Sequence, residues 1–310
     1  MHKVFAWFLG AALMCAMGTN LAMARDKEPF SANPTNAPIP SVFGFAKFMK
    51  PEVTKIDDGI YTFAHAGARN VFIVTGQGVI MTDPLNPTSA QIMREEIRKV
   101  TDQPVKYVIY SHGHWDHAAG GVIFKNEGAK FISQEKCVAY FKNFPNPDVP
   151  MPDITYKDHK TLKLGDKTLE LMYLGPNHSD CLTFIRIKGT PYLVMVDMAN
   201  PGSAPRGDLM DYSLHNWVRT LKEVESMVAD GVTTIIEGHG PPSAPLSAVT
   251  ERREYLEALM SAVKAEMEKG TPGDKIVETL TLPQFMHLKN MDKYFKKNVD
   301  RVISYYTIGY

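Results

Sequence analysis

Three imidazoles and a carboxylate fall within six positions of one another, at His112, His114, Asp116 and His117, in the stretch SHGHWDHAAGG. A buried imidazole needs a partner for each ring nitrogen, and a buried carboxylate is costly unless it is paired or bound to a metal. Grouped this closely, the four side chains satisfy one another best around a cation. Nitrogen and oxygen donors without a thiolate suit zinc, with iron or manganese as alternatives.

The cluster follows Val105-Lys106-Tyr107-Val108-Ile109-Tyr110, whose β-branched and aromatic side chains read as a buried strand. The same arrangement recurs downstream. Leu171-Met172-Tyr173-Leu174 runs into His178, Tyr192-Leu193-Val194-Met195-Val196 into Asp197, and Thr233-Thr234-Ile235-Ile236 into Glu237-Gly238-His239-Gly240. Taken singly, His178 reads as a structural histidine and Asp197 as a turn cap. Taken together, downstream of the histidine-rich turn, they read as further ligands on strand-exit loops, which is how a rigid scaffold preorganises a site.

The elements that would position these residues alternate in two halves. Ile60–Phe63, Asn70–Val74 and Val79–Asp83 read as strands, the last two joined at Gly76-Gln77-Gly78. Ser89 to Val100 reads as an amphipathic helix with Thr88-Ser89 as candidate caps. Another strand (Ala129–Ser133) and a short helix (Glu135–Lys142) follow. Residues 143–153, with four prolines and no periodicity, fit either a substrate-facing lid or a plain surface loop. The second half offers a hairpin over 161–173, strands over 182–187, 192–196 and 232–236, and helices at about 212–229, 244–269 and 291–306. Two halves that each run from β to helix predict an α+β chain, two sheets packed face to face with helices outside.

The 310 residues are 44% hydrophobic and 22% charged with a formal charge of zero, an ordinary globular balance with no basic surplus for nucleic acid. The N-terminus reads as a secretory signal over residues 1–24. It has a basic start (His2, Lys3), an apolar run from Val4 to Cys15 too short to span a bilayer well, and the cleavage pattern Ala22-Met23-Ala24. The mature chain is therefore expected to be exported, to a periplasm, without stable membrane insertion. Residues 25–52 read as an extended, proline-punctuated arm whose Val42–Phe45 segment covers the body or the site mouth. Residues 53–310 read as one catalytic domain with a C-terminal helical extension. Cys137 and Cys181 could pair in an oxidising compartment or remain buried thiols, with Cys181 read as a packed thiol.

The His112-Gly113-His114-Trp115-Asp116-His117 stretch resembles the H-x-H-x-D-H signature of the metallo-β-lactamase superfamily, with His178, Asp197 and His239 in the order of its later motifs. The resemblance covers roughly residues 53–270 and implies an αββα sandwich of two mixed sheets with a dinuclear site at one edge. It assigns His112, His114 and His178 to one metal, Asp116, His117 and His239 to the other, and Asp197 to the bridge. Two zinc ions would lower the pKa of a bridging water and polarise a scissile carbonyl, and Asp116 would also orient the resulting hydroxide. Asp197, where one lactamase subclass has a cysteine and another lacks the bridge, points to hydrolysis of a carboxylic ester, lactone or amide of a small molecule. The alternatives are β-lactamase activity as the main function, a mononuclear iron dioxygenase acting on persulfides, and a non-catalytic binding protein. Phe141, Phe144, Met151, Trp115 and His65 are secondary candidates for the pocket, packing being the better reading for the apolar ones. Arg69 lies in the same first β-block as His65. His159, His215 and His287 are expected at the surface. The loops at 143–153 and 199–212 would choose the substrate.

Overall fold

The computed structural model describes residues 44–309 apart from 208 and 210. The signal segment 1–24 and most of the 25–52 arm lie outside the described residues. A short 3-10 helix, Gly44–Phe48, precedes the first sheet. That sheet contains β1 (Glu52–Asp57), β2 (Ile60–His65), β3 (Ala68–Thr75), β4 (Gly78–Thr82), then helix α1 (Pro87–Val100) and β5 (Val105–Ile109). Helices α2 (Trp115–Ala118) and α3 (Val122–Asn126) lead to β6 (Lys130–Gln134), and α4 (Lys136–Asn143) leads to β7 (Ile154–Tyr156). The seven strands lie side by side in chain order, antiparallel from β1 to β4 and parallel from β4 to β7.

The second sheet is built from β8 (His159–Leu164), β9 (Lys167–Met172), β10 (Phe184–Ile187), β11 (Tyr192–Val194), β12 (Thr234–Ile236) and β13 (Ala244–Pro245), in that spatial order, with β11 and β12 parallel. Helix α5 (Leu214–Ser226) crosses between β11 and β12, and α6 (Ser247–Glu268), α7 (Gly273–Thr279) and α8 (Met291–Ile308) follow.

Three apolar layers hold these parts together. Ile60, Ile73, Ile80, Ile109 and Ile132 of the first sheet meet Leu169, Leu171, Ile185, Val194 and Ile236 of the second. The outer face of the first sheet packs Phe72, Met81 and Val108 on Met93 and Ile97 of α1. The outer face of the second packs Phe184, Leu193 and Ile235 on Trp217, Leu221, Leu256, Val299 and Val302 from α5, α6 and α8. Two mixed sheets between helical layers is the αββα sandwich expected from the alternation of patterns. Alternation works here because each strand sends one face to the middle layer and the other to a helix.

Local chemistry sets the boundaries, and some differ from expectation. Helix α1 starts earlier than its periodicity suggests. Asn86, not Thr88 or Ser89, is the cap, accepting the Ser89 N–H at 3.0 Å, and Pro87 fills the first turn. The short strands β7 and β13 and the helix α7 carry too few periodic residues to be read in advance. Ala66 and Gly67 both take positive φ (54° and 88°), the two-residue turn that matches the twist of a β2–β3 hairpin. Cys137 on α4 and Cys181 before β10 are joined by a disulfide, S–S 2.06 Å, which replaces the reading of Cys181 as a packed thiol. No helix among the described residues is long and apolar enough to cross a membrane.

Candidate metal centre

The strand exits converge. His112 leaves β5, fully buried, its Nδ1 2.9 Å from the Ser111 hydroxyl. Asp83, at the end of β4, accepts the Ser111 N–H at 2.7 Å through Oδ1, and its Oδ2 lies 3.6 Å from His117 Nδ1. His114 caps α2, its carbonyl accepting the N–H groups of His117 and Ala118, so one helical turn sets the spacing of His114 and His117. His178 arrives on the loop after β9, its ring 4.5 Å from that of Tyr212. His239 arrives two residues beyond Glu237 and donates from Nδ1 to the Gly67 carbonyl at 2.7 Å, so the β2–β3 turn fixes its tautomer. Gly238 is required: a Cβ there would lie 2.5 Å from Val196 Cγ1, 2.7 Å from His117 Cε1 and 2.8 Å from Asp197 Oδ1.

All seven residues singled out by their sequence spacing meet in two groups. His112, His114, His178 and Asp197 form one, and Asp116, His117 and His239 the other, with the donor atoms of each group within 4.8 Å of one another. Asp197 reaches both. Its Oδ2 lies 3.2 Å from His178 Nε2 and 3.4 Å from His117 Nε2, and its Oδ1 lies 3.4 Å from His239 Nε2. Asp116 Oδ2 is 3.7 Å from His239 Nε2 and 3.8 Å from His117 Nε2.

The donor set fits cations. His112 Nε2, His178 Nε2 and Asp197 Oδ1 are buried without a hydrogen-bond partner, and His117 Nε2 faces His239 Nε2 at 3.3 Å. Buried lone pairs aimed at one another are costly unless a cation or a proton lies among them. The electrostatics differ across the cluster. Burial, then the neighbouring imidazoles, push His112 well below its ordinary value, and burial followed by His178 takes His114 down to about 4. Burial also works against a charged His117, but the carboxylates of Asp197 and Asp116 outweigh it and raise His117 well above the usual histidine range. Burial would raise Asp197, yet the charges of His117 and His239 and the close approach of the His117 and His178 imidazoles hold it well below.

Clefts open from this cluster. One of about 820 Å³ brings Phe45, Trp115, Tyr140 and Phe144 beside His114, Asp116 and His239. A second, of about 540 Å³, runs past His178 and Asp197 to Pro205, Asp211 and Tyr294. Phe144 and Trp115 therefore face the cleft, whereas Phe141 packs in the core and Met151 is exposed. His65 does not reach the mouth. It is buried, with Nδ1 2.8 Å from Ser89 Oγ and Nε2 3.2 Å from the Met49 carbonyl, and ties the 3-10 segment to α1. His159, His215 and His287 lie at the surface. Sequence reasoning misses Asp83 and Ser111 as site residues. Asp83 carries the same signal as Asp197, a carboxylate closing an apolar strand, while nothing in the sequence marks the Gly67 carbonyl. Arg69, from the first β-block, bonds the Gly240 carbonyl beside His239.

The sequence profile of the Metallo-beta-lactamase superfamily matches residues 66–239. The chain is similar to metallo-beta-lactamase IND-1 of Chryseobacterium indologenes, at 23% identity over 183 residues, 58% of this chain and 75% of that one. It is also similar to the 2,4-dinitroanisole O-demethylase subunit alpha of Nocardioides sp. (strain JS1661), at 22% identity over 180 residues, 57% of this chain and 52% of that subunit. Among solved structures, the metallo-beta-lactamase from Pontibacter korlensis superposes with a TM-score of 0.61 at 18% identity, covering 67% of this chain and 99% of that one, a likeness of fold. The profile match runs from the turn that receives His239 to His239 itself, across a sandwich that brings two groups of metal-type donors together: the chain belongs to the metallo-β-lactamase superfamily and is a metal-dependent hydrolase.

Proposed function

We propose that this chain is an exported hydrolase that cleaves a carboxylic ester, lactone or amide of a small molecule, with two divalent ions, zinc first among them, held by the seven residues at the centre. The observation that carries the reading is Asp197. Its Oδ2 lies within 3.4 Å of His178 in one group and His117 in the other, and its Oδ1 faces His239, so the carboxylate stands between the two groups as a shared ligand would. His112, His114 and His178 would hold one ion, Asp116, His117 and His239 the other. The ions would supply an acidified water and polarise the carbonyl under attack. Asp116, whose Oδ2 faces His117 and His239, would also orient that water and take up its proton. The aromatic side of the cleft, Phe45, Trp115, Tyr140 and Phe144, would bind an apolar acyl or ring portion and keep bulk water from the reacting carbon. Export is supported by the signal-like N-terminus and by the disulfide, a bond that persists in oxidising compartments.

The test is metal content per chain of the purified protein, followed by a panel of esters, lactones, amides and β-lactams. Two zinc ions with ester or lactone turnover is the expected result. One iron per chain with oxygen uptake on persulfides would replace this reading with the dioxygenase. Turnover confined to β-lactams would make that activity the main one.

A further inference from the structure

Asp197 sits on an unusual turn. Its backbone lies in the left-handed region at φ 62°, as does that of Asn200 at φ 46°, conformations that residues other than glycine adopt at a cost. Every backbone polar group from the Asp197 carbonyl to the Ala199 carbonyl is held by a side chain from another element. Tyr212 donates its hydroxyl to the Asp197 carbonyl at 2.5 Å, and Trp217 donates Nε1–H to the Met198 carbonyl at 2.9 Å. The Met198 and Ala199 N–H groups donate to Glu237 Oε2 and Oε1 at 3.2 and 2.5 Å. Arg252, from α6, donates to the Ala199 carbonyl at 2.8 Å, to Asn200 at 3.3 Å and to Ser203 at 2.6 Å. Glu237 and Arg252 are each only 3% exposed. A buried carboxylate and a buried guanidinium are expensive in an apolar wall, and hydrophobic residues would pack the helix onto the sheet as well.

We propose that Glu237 and Arg252 are positioning residues that clamp the Asp197 turn, so that its carboxylate is presented between the two ligand groups and metal is retained there. Glu237 takes the two turn amides and Arg252 the carbonyls that follow, so the pair grips the turn from both polar sides. Glu237 also stands two residues before His239 on the same strand exit, so β12 delivers one ligand directly and fixes another through the clamp. Neither residue bonds a donor atom of the metal groups. Glu237 also acts on Asp197 through its charge, whereas loss of the Arg252 cation would by charge alone favour a metal ion, so weaker binding in an Arg252 variant reports on the turn. The inference rests on the reading of Asp197 as the shared carboxylate.

The test is zinc titration of metal-depleted protein against a chromophoric chelator, with the visible spectrum of the cobalt-substituted protein and the melting temperature of the zinc-free protein in parallel. In Glu237→Gln, which keeps the side chain's size but turns an amide towards a backbone N–H, zinc affinity is expected to fall by about tenfold to a hundredfold and the cobalt spectrum to shift. Arg252→Met is expected to do the same, with Arg252→Lys partly restoring both. Affinity within twofold of the wild type and an unchanged spectrum in folded Glu237→Gln would overturn the clamp. A lowered melting temperature with those two readouts unmoved would also overturn it, because the pair would then serve folding alone. If Arg252→Met does not fold, the isosteric Glu237→Gln decides. The wild-type arm is separate. Fewer than two zinc ions there counts against the dinuclear reading, and the clamp is then judged on the ion the wild type does hold.

Discussion

The two ligand groups are built on the same principle and are poised differently. His112 and His114 are kept neutral in the absence of metal, because burial and neighbouring imidazoles disfavour a proton. His117, across Asp197, is kept protonated, because Asp197 and Asp116 flank it. One group therefore stands ready to donate lone pairs, whereas the other already holds a positive charge, in the form of a proton. The contrast follows from where the carboxylates lie. A metal entering the second group must displace that proton, and one entering the first need not.

The largest effect should come from removing what the groups share. Asp197→Asn keeps the shape but removes the charge facing both, and metal content and turnover should fall by more than about a hundredfold, beyond the range of outer partners. A variant retaining both metals and full rate would show that the groups are independent. Acidity should separate them next. His117 has its value raised, so it is protonated below that raised value, and affinity in the second group should grow by about tenfold per pH unit as pH rises towards it, one proton being released per ion. His114 is neutral above about 4 and His112 is held well below its ordinary value, so neither should release a proton to a metal between pH 6 and pH 8. Calorimetry in buffers of different ionisation heat reads the proton directly, and equal proton release from both groups would erase the distinction.

A smaller effect should follow from Ser111→Ala, which removes the hydroxyl 2.9 Å from His112 Nδ1. Affinity in the first group should weaken by about tenfold, with the second unchanged. The smallest should come from Phe144→Ala on the aromatic side of the cleft, a few-fold rise in KM for an aromatic ester with metal content unaltered. A loss of metal there would mean that the cleft wall also supports the ligands.

The cluster of metal-type donors is legible in the sequence because chemistry of this kind advertises itself. Three imidazoles within six positions are hard to satisfy in a core without a cation. His178, Asp197 and His239 each follow an apolar run that reads as a strand. The layering is legible for the same reason, since period-two and helical segments alternate twice. What the backbone provides is not legible. The Gly67 carbonyl that fixes His239 and the positive φ of Asp197 are properties of turns, decided by neighbours far away in sequence. His65 shows the opposite limit. A histidine in the right block is a structural tie to Ser89 and Met49, and only the path of the 3-10 segment distinguishes the two roles.

The bond between Cys137 and Cys181 has a consequence for how the two sheets stay together. Cys137 lies on α4, between β6 and β7 of the first sheet, and Cys181 precedes β10 of the second, 44 residues later, so the cross-link ties a helix of the first half to a loop of the second and encloses β7, β8 and β9. The metal groups draw on both halves, His112 from the first sheet and His178, three residues before Cys181, from the second. Closing a loop of this length removes unfolded-state entropy equivalent to about 4 kcal/mol. The loop that carries His178 is thus tied covalently to α4 of the other half, and protein made in a reducing cytosol would lack that tie.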